Sequence, residues 1–152
     1  MKTAAFVNLH RTNRRAIMAA ESGGRKTRYG NRKGTHAARG IVQRRRSCIE
    51  ICWQINHLPI SEEAQRNGLL VQLLGSTDGA FTILPDFWCD YGSNIHIGKN
   101  FFANHGLVVL DGAPVTIGDN VFVAPNVGLY TAGHPLDVRQ RNRYLEYAKP
   151  IT

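Results

Sequence analysis

From Ile97 to His134 an aliphatic or small residue returns at every sixth position, and this period constrains the fold more than any other feature. Written in sixes, the chain runs 97–102, 103–108 and 109–114. After two extra residues, Val115 and Thr116, it continues as 117–122, 123–128 and 129–134. The leading residues are Ile97, Ala103, Val109, Ile117, Val123 and Leu129. Four positions after each lead, a second residue is usually apolar: Phe101, Leu107, Ala113, Val121 and Val127, with Gly133 last. Two Ile-Gly-x-Asn units, starting at Ile97 and Ile117, stand at equivalent points of successive three-hexad coils.

A repeat of this kind describes a solenoid. Each hexad provides a short strand and a tight turn, the lead side chain faces inward, and Gly or Asn takes turn positions where φ is positive. A coil buries its interior only by stacking on the next, so several are needed. A β-meander is excluded, because it would alternate with period two and turn every 8 to 12 residues.

Charge separates the repeat from what precedes it. Residues 1–50 hold 13 of the 19 Lys and Arg but only two acids, Glu21 and Glu50, whereas the rest of the chain is mildly acidic. The overall charge of +8 therefore belongs to one segment. Residues 1–46 lack hydrophobic periodicity and contain five glycines and the run Arg44-Arg45-Arg46, so this basic leader is expected to be poorly ordered. With Tyr29 its only aromatic after Phe6, it offers no stacking platform, and a specific nucleic-acid partner is not expected.

Residues 47–78 read as a helical cap. Ser47, Cys48, Ile49, Ile51, Cys52 and Ile55 suit one amphipathic helix over 47–58. Ser61 followed by Glu62 and Glu63 signals the start of a second, with Leu69, Leu70, Leu73 and Leu74 as its buried stripe and Gly75 as its stop. Residues 79–152 then form the repeat domain. Trp53 and Trp88 read as packing residues, and His96 and His105 as outward-facing.

The three cysteines, Cys48, Cys52 and Cys89, do not suggest a disulfide framework, and no metal is expected. Reduced, buried thiols in a cytoplasmic protein are the simpler reading. No apolar run reaches the ~18 residues of a membrane span, and the Ala4-Ala5-Phe6-Val7 patch is shorter than a signal peptide's apolar region, so neither membrane insertion nor secretion is expected.

After Gly133-His134-Pro135 the repeat breaks. Residues 135–149 are polar and charged and fit no hexad, while Pro150-Ile151-Thr152 resumes the pattern. A long loop extruded from a rigid scaffold commonly carries function, and His134 stands at its root.

Several stretches together resemble the maltose and galactoside O-acetyltransferases and the nodulation acetyltransferases, which are hexapeptide-repeat acyltransferases. They are 89–98, beginning Cys89-Asp90-Tyr91-Gly92, then Asn100 to Asn104, Ile117 to Val121, Pro125-Asn126-Val127, Thr131 to Pro135, and Pro150-Ile151-Thr152. The expected fold is accordingly an all-β solenoid, a left-handed parallel β-helix of hexapeptide repeats, preceded by two short α-helices and the basic N-terminal segment.

The resemblance implies transfer of acetyl from acetyl-CoA to a sugar hydroxyl by a homotrimer. His134 matches the catalytic base, a role that suits imidazole because it titrates near neutral pH. Glu146 matches a residue that orients that base. Asn104 matches a group near the reacting carbonyl and acceptor, where an amide N–H could stabilise an oxyanion and contact the acetyl donor. Asp90 matches an acceptor-binding position, and Asp111 a further acceptor contact, with Gly112 as the other possible register. The same resemblance leaves room for Asn104, Asp111 and Asp119 as plain turn residues of a β-helix.

Two departures qualify the match. Residues 1–46 lack the acidic, Tyr-containing start usual in the family. The sequence also stops at Thr152, where the family continues with coils that hold the rest of acetyl-CoA. An incomplete solenoid is thus expected, and the alternative to an enzyme is a catalytically impaired remnant acting as a scaffold or binding module.

Overall fold

The computed structural model describes residues 5–8, 36–143 and 145–152. They fall into two compact units, residues 44–131 with 150–152, and residues 5–8 and 36–43 with 132–143 and 145–149. Two helices come first in the described part of the chain after the short strand β1 (Ala5–Asn8): α1 (His36–His57) and α2 (Glu63–Leu73).

Helix α1 starts eleven residues before the expected 47, so the end of the basic segment is ordered. Ala37, Ala38 and the arginines are good helix formers, and Ile41, Cys48, Cys52 and Ile55 recur at helical spacing and are all buried. The remaining expectation of poor order concerns residues that lie outside those described, apart from β1. Helix α2 also differs in detail. Its N-cap is Glu62, with no side-chain capping bond, so Ser61 does not cap it. The joint between the helices is closed by buried Arg66, whose Nη2 donates to the carbonyls of Leu58 and Pro59 at 3.1 and 2.8 Å.

The repeat forms β2 (Ser76–Thr77), β3 (Phe81–Ile83), β4 (Phe87–Cys89), β5 (Ile95–Ile97), β6 (Phe101–Ala103), β7 (Leu107–Leu110), β8 (Val115–Ile117), β9 (Phe122–Val123) and β10 (Gly128–Tyr130). They make three parallel sheets, ordered β2-β5-β8, β3-β6-β9 and β4-β7-β10. The expected hexads stack as read: Ile97 pairs with Ile117, Ala103 with Val123 and Val109 with Leu129. The two extra residues, Val115 and Thr116, lie in β8 opposite Ile95 and His96.

One coil was not anticipated. Thr77, Ile83 and Cys89 stack on Ile97, Ala103 and Val109, so the solenoid begins at β2, before Gly79. Thr77 and Cys89 hide it in the sequence, because neither is an aliphatic lead.

Turn chemistry follows the repeat. Asn100, Asn120 and Asn126 have φ near +58°, and Gly92 and Gly106 share that region of backbone, all at the fourth position of a hexad. Asn100 Nδ2 donates to Asn120 Oδ1 at 3.0 Å, one coil to the next. Gly106 has no room for a side chain, since an added Cβ would lie 2.4 Å from Asn126 Oδ1.

Inside the prism, Phe87, Ile95, Phe101, Leu107, Val109 and Val115 are fully buried and continuous with Cys52, Ile55 and Leu70 of the helices. Asn56 ties helix to coil in the manner of a peptide group: its Nδ2 donates to Phe87 O at 2.9 Å and its Oδ1 accepts from Phe87 N at 2.8 Å. Trp88 packs against this core, whereas Trp53 does not. It is 55% exposed and stacks on His57. His96 and His105 lie outside the core, held by Ser76 Oγ and Pro85 O respectively.

In the other unit, the loop expected over 135–149 is a structured hairpin. Strand β11 (Ala132–Gly133) and β12 (Leu145–Ala148) pair antiparallel, β1 adds to the far side of β12, and the one-turn helix α3 (Val138–Arg141) lies between them in sequence. Asp137 caps that turn, accepting from the amides of Arg139 and Gln140 at 2.7 and 3.1 Å. Ile151 then pairs with Val115 in parallel, as the resumed repeat requires. Among the described residues, no helix is long and apolar enough to cross a membrane.

Candidate active site

The hairpin brings two of the expected site residues together. Gly133 pairs with Tyr147, which sets His134 across from Glu146. An added Cβ at 133 would lie 2.8 Å from Tyr147 Cζ, so a larger residue beside the histidine would displace the Tyr147 ring. His134 Nε2 lies 3.6 Å from Glu146 Oε1, an ion-pair distance when the ring is protonated. The imidazole is 56% exposed and the carboxylate 28%, so the ring faces solvent and its partner is more sheltered.

Within the solenoid unit a second pair forms around Asp90. Its Oδ1 receives Arg45 Nη2 at 2.6 Å, and the same guanidinium lies 5.9 Å from the centre of the Tyr91 ring. Arg45 belongs to the segment that sequence reasoning assigned to a disordered leader. Its helical spacing from Cys48 and Cys52 was the available signal.

Asp111 departs from its expected role. It is fully buried, and its carboxylate is occupied by the protein itself. Oδ1 accepts from the amides of Asp90 and Tyr91 at 2.9 and 2.8 Å, Oδ2 lies 3.4 Å from the amide of Asn94, and Asn94 Nδ2 donates to the Asp111 carbonyl at 2.6 Å. Burial pushes the Asp111 carboxyl above the ordinary carboxylate range, and the amide donors partly oppose that shift. No oxygen of this group is presented to an acceptor. Asp111 instead ties down the 90–94 turn that carries Asp90.

Asn104 is half-buried at the end of β6. Its Oδ1 accepts from His105 N at 2.8 Å, and its backbone N–H donates to Val123 O at 3.0 Å. That fixes the side chain while its Nδ2 makes no hydrogen bond among the described residues. Asp119 is a turn residue, its Oδ1 accepting from Lys99 N at 2.7 Å.

The three parallel sheets with their 20-residue coils define a hexapeptide-repeat β-helix. Residues 36–79 match the maltose acetyltransferase hexapeptide capping motif. The chain is 37% identical to the galactoside O-acetyltransferase of Escherichia coli over 118 residues, 78% of this chain and 58% of that one. It is 44% identical to nodulation protein L of Rhizobium leguminosarum over 94 residues, 61% of this chain and 50% of the relative. A solved galactoside acetyltransferase in complex with coenzyme A superposes with a TM-score of 0.74 at 37% identity, covering 78% of this chain and 59% of that one. The chain resembles the hexapeptide-repeat acetyltransferases over the stretches matched, and its solenoid has the left-handed β-helix fold of those solved neighbours. It spans about half the length of the curated relatives it matches.

Proposed function

We propose that this protein is an O-acetyltransferase that moves acetyl from acetyl-CoA to a sugar hydroxyl by direct attack, without an acyl-enzyme. The His134–Glu146 pair carries this reading. An exposed imidazole backed by a carboxylate is the arrangement that takes a hydroxyl proton and stabilises the resulting imidazolium. The acceptor oxygen attacks the thioester carbonyl as its proton passes to His134. The tetrahedral intermediate then expels the coenzyme A thiolate, which takes up the proton.

Asn104 suits the oxyanion position because its Oδ1 is engaged and its Nδ2 can donate. Asp90 suits the acceptor, since Arg45 holds one of its oxygens and orients the other for hydroxyl donors. A homotrimer, as the family resemblance implies, is part of the proposal.

The test is acetyl transfer from acetyl-CoA to maltose, glucose and galactoside acceptors by the whole chain. An otherwise folded His134→Ala variant should lose turnover. Transfer at the parent rate by that variant would overturn the assignment, and absence of acetyl-CoA binding by calorimetry would overturn the activity.

A further inference from the structure

Three sulfur atoms converge where the helical cap meets the first coil. Cys48 and Cys52 stand one turn apart on α1, and Cys89 closes β4. Cys89 Sγ lies 3.4 Å from Cys48 Sγ and 3.8 Å from Cys52 Sγ, and all three sulfurs are within 4.8 Å of one another. All are free thiols, and all are buried.

We propose that Cys48, Cys52 and Cys89 form a three-thiolate site for one soft d10 cation, Zn(II) or Cu(I), clamping the helical cap to the solenoid. Thiolates bound at ~2.3 Å around a tetrahedral zinc stand about 3.8 Å apart, and the observed separations bracket that value. Zinc and copper(I) are the ions that thiolate donors select. The i, i+4 spacing of Cys48 and Cys52 puts two donors on one helix face, and the third comes from a strand 41 residues beyond Cys48. Such a set has no compact sequence motif, which is why Cys48-x-x-x-Cys52 alone did not suggest it.

Binding forms three metal–sulfur bonds and releases three protons to solvent, with no change of oxidation state. Acetyl transfer uses none of these residues, so the site stands independently of that reading.

The experiment takes the full chain, reduced and stripped of metal by a chelator, and titrates it without oxygen in separate arms with Zn(II), Cu(I) and, as a spectroscopic probe, Cd(II). Expected are one ion per chain, sulfur-to-cadmium charge-transfer absorption of three-thiolate intensity, release of three protons, and a higher melting temperature with Zn(II) or Cu(I). Cys89→Ser should lose one thiolate's share of the absorption, and a His96→Ala/His105→Ala variant should retain all of it. Should Cys89→Ser not fold, the parent titration still counts the sulfurs. No saturable uptake in any arm, or uptake without thiolate absorption, overturns the proposal.

Discussion

Asp111 and Tyr91 are joined by a hydrogen bond of 2.8 Å from a backbone amide to a carboxylate with no solvent exposure. The residue that looked like an acceptor contact is therefore part of the scaffold under Asp90. Asp111→Ala should leave the amides of Asp90 and Tyr91 without partners and cost about 3 kcal/mol, read by urea denaturation. Asp111→Asn keeps one carbonyl oxygen for them and should cost clearly less.

The same carboxyl gives a pH signature. Its folded-state pKa is raised, so the folded chain holds this proton more tightly than the unfolded chain does. Its contribution to stability is complete below the ordinary Asp value of about 3.9 and is lost as pH rises through the elevated value. In Asp111→Asn that part of the stability–pH curve should flatten, as measured by denaturant midpoints across acid pH.

Arg45 and Asp90 form a part-exposed ion pair, with side chains 34% and 17% accessible. Solvent screening limits its worth to about 1 kcal/mol or less. Arg45→Ala should thus shift stability little and, if Asp90 binds the acceptor as proposed, raise KM for the acceptor, because Asp90 loses the group that orients it. Steady-state kinetics with acceptor and acetyl-CoA varied separately would distinguish this from a general loss.

If His134 is the base, His134→Ala should lower kcat by about 10²–10⁴-fold. Glu146→Gln should lower it less, since it removes orientation and charge but not the proton acceptor. Equal losses in both variants would argue that Glu146 takes part in the chemistry itself.

Gly92 sits at φ +72°, and an added Cβ would meet the Leu73 side chain and carbonyl at 2.6 Å. Gly92→Ala should destabilise by about 2 kcal/mol or more through strain and overpacking together. A thermal melt of the purified variant checks it.

The solenoid was readable because its lead positions obey one period, and Ile97, Ala103 and Val109 lie beneath their partners as that period requires. The first coil was not, since Thr77 and Cys89 are poor sequence signals, although they stack in register. Helix α1 was half legible. Ile41 lies seven residues before Cys48 on the same face, but Gly40 and the arginine run masked the continuity. His134 and Glu146 meet through strand pairing within the expected loop, and their meeting came from family resemblance rather than from spacing. The two readings of Asp111, acceptor contact or turn residue, stayed open in the sequence because no pattern distinguishes a carboxylate facing solvent from one turned onto backbone amides.

The constant 20-residue offset between paired strands also bears on how the chain folds. Ordinary parallel sheets close long loops before any strand pairs, and they fold slowly for that reason. Here each new strand finds its partner after the same short excursion, so growth is sequential and nearly one-dimensional. Folding rates should depend most on substitutions in the coil that forms first, while those in later coils act mainly on the rate of unfolding.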